Sequence, residues 1–447
     1  MNVATLPHLW QSLVGSMASF LHRRSAWRLL VVLFGLLFAQ GRRRTVTTWI
    51  RAAQVQEDFP SFYYFLGSLG RNCALPAVSL LRAVLHHLHP ELPSDAAIVF
   101  TLDDTPSERY GPHVQGAGIH HNPSRGPADA AFLYGHIWVT LCVMVCHPQW
   151  GPISLPIRSL LYVRKKDVPK IPAHYGWRFR SKLELAAELV RWAADMSRFL
   201  GLPMHVVVDG AYAKKPFMKE ATGAGLQVIS RLRRDAGLRT LPRPRRQPRR
   251  GRPAVYGSEA IRLNLRARQK RGWQTVQVQQ YGKVKEKRIK TFLATWRPAG
   301  GVIRVVLVQE ETGWLAWFST DPELSAELIL ERAAQRTTIE ETFHDVKEVE
   351  GLGEPQLRNI WSNVGAMEAT LWEFTLVELW AWDQPQEAIC DRSESPWDDA
   401  ERRPSHADRR KALQRWCLRQ EYQRLCQDRL LQPEMQEFVE RLLRQAG

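Results

Sequence analysis

Four carboxylates stand out in the 447-residue sequence by where they fall. Asp103 and Asp104 close the apolar run Ile98 to Leu102, and Asp209 closes the run His205-Val-Val-Val. Short β-branched runs predict buried strands, and the functional groups of α/β sheets collect where such strands end. Glu340 belongs to a helical pattern instead. Arg336, Glu340, His344 and Lys347 recur at i, i+4, i+8 and i+11 on one face, while Ile339, Phe343 and Val346 share the other. A surface helix laced with ion pairs gives the same spacing, so Glu340 alone decides nothing. Clustered carboxylates repel one another and divalent cations relieve that repulsion. All-oxygen ligands select Mg²⁺ or Mn²⁺. Arg336 and Lys347 carry the charge and geometry that hold phosphodiesters.

The elements that must position these groups follow from the hydrophobic pattern. Residues 1–95 predict a helical N-terminal DNA-binding domain with a buried apolar helix over Leu29–Ala39, too short to span a membrane. The segment 41–51, with Arg43 and Arg44 ahead of a short helix, suits helix-turn-helix DNA binding, although a basic solvated helix has the same composition. From about 96 to 232 the order is β-β-β-α-β-α-β, the first part of a catalytic core. Residues 233–313 form a basic loop and a β-rich insertion, with strands expected over 261–267, 273–279, 288–294 and 303–309. Residues 314–383 complete the core with a strand, one long helix from near Ser325 that carries Glu340, and an apolar helix over 360–382. A linker and a basic helical tail fill 384–447.

Composition agrees with a polyanionic partner. The formal net charge is +17, and a surface so basic holds nucleic acid. The loop 233–255 interleaves Arg249, Arg250 and Arg252 with prolines. Such a stretch packs no core and suits phosphate contact, and its end resembles a minor-groove clamp. Six scattered cysteines include no C-x2-C pair, which excludes the usual zinc sites and suits a reducing cytoplasm. His113, His120 and His121 cluster without a metal-ligand spacing. No phosphate-binding loop of the G-x4-G-K-[ST] type occurs.

Arg336-x3-Glu340-x6-Lys347 resembles the Y-x2-R-x3-E-x6-K signature of a large subgroup of bacterial insertion-sequence transposases. Asp103-Asp104-Thr105 resembles that group's D-x-T motif, and Val206-Val-Val-Asp209-Gly210-Ala-Tyr212 its second-Asp motif. The resemblance covers about 96–382. It implies an α/β fold: a ribonuclease H-like catalytic core interrupted by a β-rich insertion, with helical N- and C-terminal regions. It also implies a DNA transposase that cuts and joins transposon ends, with catalytic and metal-holding Asp103, Asp209 and Glu340. Two Mg²⁺ or Mn²⁺ ions are implied, Asp103 bridging both, Asp209 holding one and Glu340 the other. The D-x-T spacing selects Asp103; a one-residue slip of register selects Asp104. Arg336 and Lys347 would clamp phosphate. Trp273, Trp296, Trp314 and Trp317, in and just after the insertion, each suit core packing first. The resemblance implies that one aromatic there stacks a flipped base, and Trp296, at a strand end, is the candidate. The partners implied are double-stranded DNA, as terminal inverted repeats and target, and a second copy of the chain; no membrane is involved, and the location is the bacterial cytoplasm and nucleoid. The sequence departs from the signature at its tyrosine, where Ala333 stands.

Overall fold

A computed structural model describes residues 3–17, 21–39, 43–55, 58–88, 97–122, 130–243, 252–280, 282–390, 392, 397–399 and 401–425. The N-terminal helices are α1 (His8–Met17), α2 (Arg23–Phe38), α3 (Val46–Ala52), α4 (Phe59–Asn72) and α5 (Ala74–Leu88). The central strands are β1 (Ile98–Glu108), β2 (Gly118–His121), β3 (Phe132–His147) and β4 (Gly151–Tyr162). Next come α6 (Lys182–Ser197), β5 (Met204–Val208), α7 (Lys215–Gly223) and β6 (Leu226–Arg231). The insertion holds β7 (Leu238–Arg239), β8 (Ala260–Ile261), α8 (Leu263–Arg268), β9 (Gln274–Gln280), β10 (Lys283–Trp296) and β11 (Gly301–Glu310). The chain closes with β12 (Gly313–Ser319), α9 (Ala326–Gln335), α10 (Thr338–Glu348), α11 (Ile360–Trp382), α12 (Gln386–Ile389) and α13 (His406–Leu425).

Strand order is the framework of the site. β4, β3 and β1 form an antiparallel meander, and β1, β5 and β6 lie parallel to one another. That is the ribonuclease H-like arrangement the pattern predicts. β1 as far as Leu102 and the whole of β5 are apolar apart from Thr101 and His205, because both faces of the sheet are covered there, as parallel strands require. Phe100 and Leu102 enter the main core, whereas Val99 and Val207 enter a second core beneath α9. The sheet does not stop at β6. β12 pairs antiparallel with it, followed by β11 and β10, so the insertion extends the central sheet.

The N-terminal helices share the main core. α4 crosses α11 at two glycines: a Cβ on Gly70 would fall on the Trp361 carbonyl oxygen, and one on Gly365 on that of Leu66. α11 is buried nearly throughout, including Glu368, Glu373 and Glu378. No helix among the described residues is long and apolar enough to cross a membrane.

Two expectations change. Residues 263–268 are helical rather than a strand, because Leu, Arg and Ala favour helix despite the alternating apolar positions. The long helix predicted from Ser325 is two helices. Thr337 and Thr338 donate their hydroxyls to the carbonyls of Ala334 and Gln335, each at 2.8 Å, and tighten the chain into a turn there. The basic helix expected near the C-terminus is α13, and it docks on the N-terminal helices. Arg410 donates to the Leu36 carbonyl at 2.8 Å, placing a cation on the last turn of α2.

Candidate nuclease centre

The register of β1 on β5 brings the first two acids together. Leu102 pairs with Val208, so Asp103 and Asp209 each stand one residue beyond the last pair on adjacent strands, about 5 Å apart in backbone. Both continue the parity of Thr101 and Val207, the face covered by α9 and α10. Asp209 accepts from the Ala211 N–H at 3.0 Å. Asp104 points to the opposite face. It accepts from Lys182 at the start of α6 at 2.6 Å and from the Tyr212 hydroxyl at 2.7 Å.

Glu340 lies in the first turn of α10, on the side of the sheet that carries Asp103. Ile339, Phe343 and Val346 are buried beneath that helix and Glu340 and His344 are exposed, as the periodicity predicts. The link between Glu340 and the sheet is Arg336, at the turn between the two helices. Its guanidinium donates to Asp103 at 2.7 Å and to Glu340 at 2.8 Å. A cation therefore already sits between two of the acids. Among the described residues no three His, Cys, Asp or Glu lie close enough to hold a metal ion together. The donor set is hard oxygen on one sheet face, and the position between Asp103 and Glu340 accepts positive charge, so the residues fit a divalent ion once Arg336 withdraws.

The electrostatics follow from burial. Burial pushes the Asp103 carboxyl up to about 6, against the pull of Arg336. Tyr212 is raised well above its ordinary value by burial, then by Asp104, Asp103 and Asp209, so its phenol stays protonated among three acids. Burial lowers Lys347, opposed by Glu348 and by Glu108 at the end of β1. Lys347 makes no ion pair among the described residues.

Beside Asp209 a cleft of about 350 Å³ is lined by Gly210, Arg231, Arg233, Arg234 and Trp314. The Arg234 guanidinium lies 5.2 Å from the Trp314 ring centre.

Other predicted site residues are placed differently. Trp296 is 8% exposed and packs edge-on against Phe318 at 5.0 Å, so it is a core residue here, unavailable for base stacking. β7 pairs with that strand end, Leu238 opposite Trp296. Arg43 is exposed. Arg44 is not: its backbone N–H donates to Glu354 and its side chain packs on Gly351, in the loop after α10. Arg252 is exposed; Arg249 and Arg250 lie outside the described residues. Ala333 is buried on α9. Sequence reasoning missed Lys182 and the bond from Tyr212 to Asp104, which join positions 78 and 108 residues apart. The tyrosine's place three residues after Asp209 was the available signal.

A carboxylate pair on neighbouring ribonuclease H-like strands, faced by a glutamate helix, defines a class of metal-dependent nucleases and strand-transfer enzymes. The sequence model of the DDE superfamily endonuclease family matches residues 17–298, more than half of the chain, and the chain belongs to that family. The match includes Asp103 and Asp209 and ends before Glu340. No curated protein matches the chain closely enough to stand as a relative.

Proposed function

We propose that this DDE-family protein is a DNA transposase that cuts transposon ends and joins them to target DNA, with Asp103, Asp209 and Glu340 as its three carboxylates. The observation that carries this reading is the shared sheet face of Asp103 and Asp209, with Glu340 tied to that face through Arg336. Asp104, committed to Lys182 and Tyr212 on the other face, is a support. Two Mg²⁺ or Mn²⁺ ions, when bound, supply activation of water or a 3′-hydroxyl and neutralise charge at the phosphate. The chain's own residues orient the DNA. Arg336 and Lys347 hold phosphate, and the Arg231–Trp314 cleft accepts strand beside Asp209. Two copies of the chain act on paired inverted repeats.

The test is a two-stage assay with Mn²⁺. The first stage measures nicking of a duplex carrying the element's terminal repeat, and the second measures joining of pre-cut ends. Asp209→Ala and Glu340→Ala are expected to abolish both. Nicking without joining would make the protein a nuclease of this fold, and wild-type nicking by either variant would remove these acids from the mechanism.

A further inference from the structure

β9 and β10 form a two-stranded ribbon whose outer half runs past the sheet. β10 pairs with β11 only from Ile289 onward, while Lys283 to Arg288 pair with β9 alone. The two faces of the ribbon differ. Val278 and Ile289 are buried against Ala326, Ile329 and Leu330 of α9, with Val276 packed beside them. Glu331 of α9 anchors the ribbon by accepting from the Gln279 N–H at 3.1 Å. The other face presents Thr275, Gln277 and Gln279 from β9, and Glu286 and Arg288 from β10, all exposed. Among the described residues none of the side chains of Thr275, Gln277, Gln279 and Glu286 makes a hydrogen bond. Arg288 only leans over the Trp273 ring, at 5.8 Å. Val284, on the same face near the tip, is 64% exposed.

The charge around this face identifies what would cover it. Residues 262–288 carry nine Lys or Arg and one acid, Glu286. Lys283, Lys285 and Lys287 lie on the α9 side of the ribbon, Arg288 on the exposed face, and the other five precede β9. A partner protein face would have to be strongly acidic to match, whereas duplex DNA offers a phosphate on each strand every ~3.4 Å. The uncharged residues on the face fit the same partner. Gln pairs bidentately with adenine, Arg with guanine, a carboxylate accepts from cytosine, and an aliphatic group meets the thymine methyl. Thr275, Gln277 and Gln279 stand about 6.8 Å apart along one face of an extended strand, two base-pair steps of B-DNA. A two-stranded ribbon fits the major groove, which is about 12 Å wide.

We propose that the β9–β10 ribbon reads base edges in the major groove of duplex DNA, with Gln277, Gln279 and Arg288 selecting sequence and the exposed Lys270 and Arg271, in the turn before β9, holding the flanking phosphates. This rests on the DNA reading above and adds where sequence preference comes from. Because the reading side chains are exposed and unbonded, their removal leaves the fold intact.

The experiment is selection from a pool of duplexes with a randomised segment, using the full-length protein, followed by affinity measurements on the selected duplex and a scrambled one. Wild type is expected to enrich a motif. Q277A/Q279A is expected to lose preference over two or three adjacent base pairs of it, by about tenfold or more, and to bind the scrambled duplex as wild type does. K270A/R271A is expected to weaken both duplexes alike and to lower the slope of log affinity against log salt by about 2. A Q277A/Q279A protein that selects the wild-type motif at full strength overturns the ribbon assignment while leaving the DNA function standing. Equal competition by duplex RNA, whose major groove is too narrow for a ribbon, also overturns it. A wild-type protein that retains no duplex overturns both.

Discussion

Replacing Arg336 with methionine removes the guanidinium that donates to Asp103 at 2.7 Å and to Glu340 at 2.8 Å. At an effective dielectric of about 20, two unit charges about 4 Å apart attract by ~4 kcal/mol. Desolvation of the arginine, 14% exposed, takes back part of that. The Glu340 pair adds little, because its carboxylate is 59% exposed. A net loss of about 1–3 kcal/mol in the metal-free protein follows. The same energy changes sign for a divalent ion, which in the wild type must displace Arg336 and in the variant enters an unopposed acid pair. Mn²⁺ should therefore bind about 5- to 150-fold more tightly to Arg336→Met. Urea unfolding of the metal-free proteins measures the first effect, and titration of Mn²⁺ followed by electron paramagnetic resonance measures the second. A variant as stable as wild type, or one that binds Mn²⁺ no more tightly, refutes the idea that Arg336 holds the cation position.

The two neighbouring aspartates should separate by phenotype. Asp103→Asn is expected to lower Mn²⁺-dependent nicking at least about 10³-fold, whereas Asp104→Asn, which weakens the Lys182 and Tyr212 contacts, costs about 1–2 kcal/mol of stability and retains most activity; the reverse pattern would assign the site to Asp104. Gly365→Ala puts a methyl on the Leu66 carbonyl and forces α4 off α11, so a loss of about 3 kcal/mol or more is expected in thermal unfolding. His406, bonded at 2.7 Å to Glu350 and 2.6 Å to Glu378, has its pKa raised above 6.5 by those acids despite burial. Its charge therefore stabilises the fold fully below pH 6.5 and the contribution is lost as pH rises through the folded value. His406→Gln should flatten the fall in melting temperature between about pH 6 and 9, and an unchanged pH profile would count against a charged His406.

Much of the core was legible because its signals are local. The runs ending at Asp103 and Asp209 are β-branched and bounded, and the Ile339-Phe343-Val346 stripe has one period, so strands, helix and facing direction all follow. What failed depended on partners distant in sequence. β2 is Gly118-Ile-His-His, with little apolar signal, and exists because β3 offers an edge. Trp296 stays a stacking candidate at a strand end until β7 pairs beside it. Arg44 looks free until the loop after α10 folds over it. The turn at Thr337 and Thr338 was hidden by a helical pattern that runs through it without a glycine or proline. Asp103 and Asp104 could not be told apart by propensity, since adjacent residues of a strand face opposite ways and only the tertiary structure says which way lies α10.

Because β12 completes the sheet beside β6, pairing Ile229 with Ser319, the growing chain cannot close its centre early. About 80 residues, mostly insertion, must leave the ribosome between the two strands, which at 5–20 residues per second takes roughly 4–16 s. Throughout that interval β6 is an open edge, free to pair with another nascent chain. The Arg- and Pro-rich stretch that follows β6 is made first, and like charges so close to an exposed edge repel a second copy until β12 arrives.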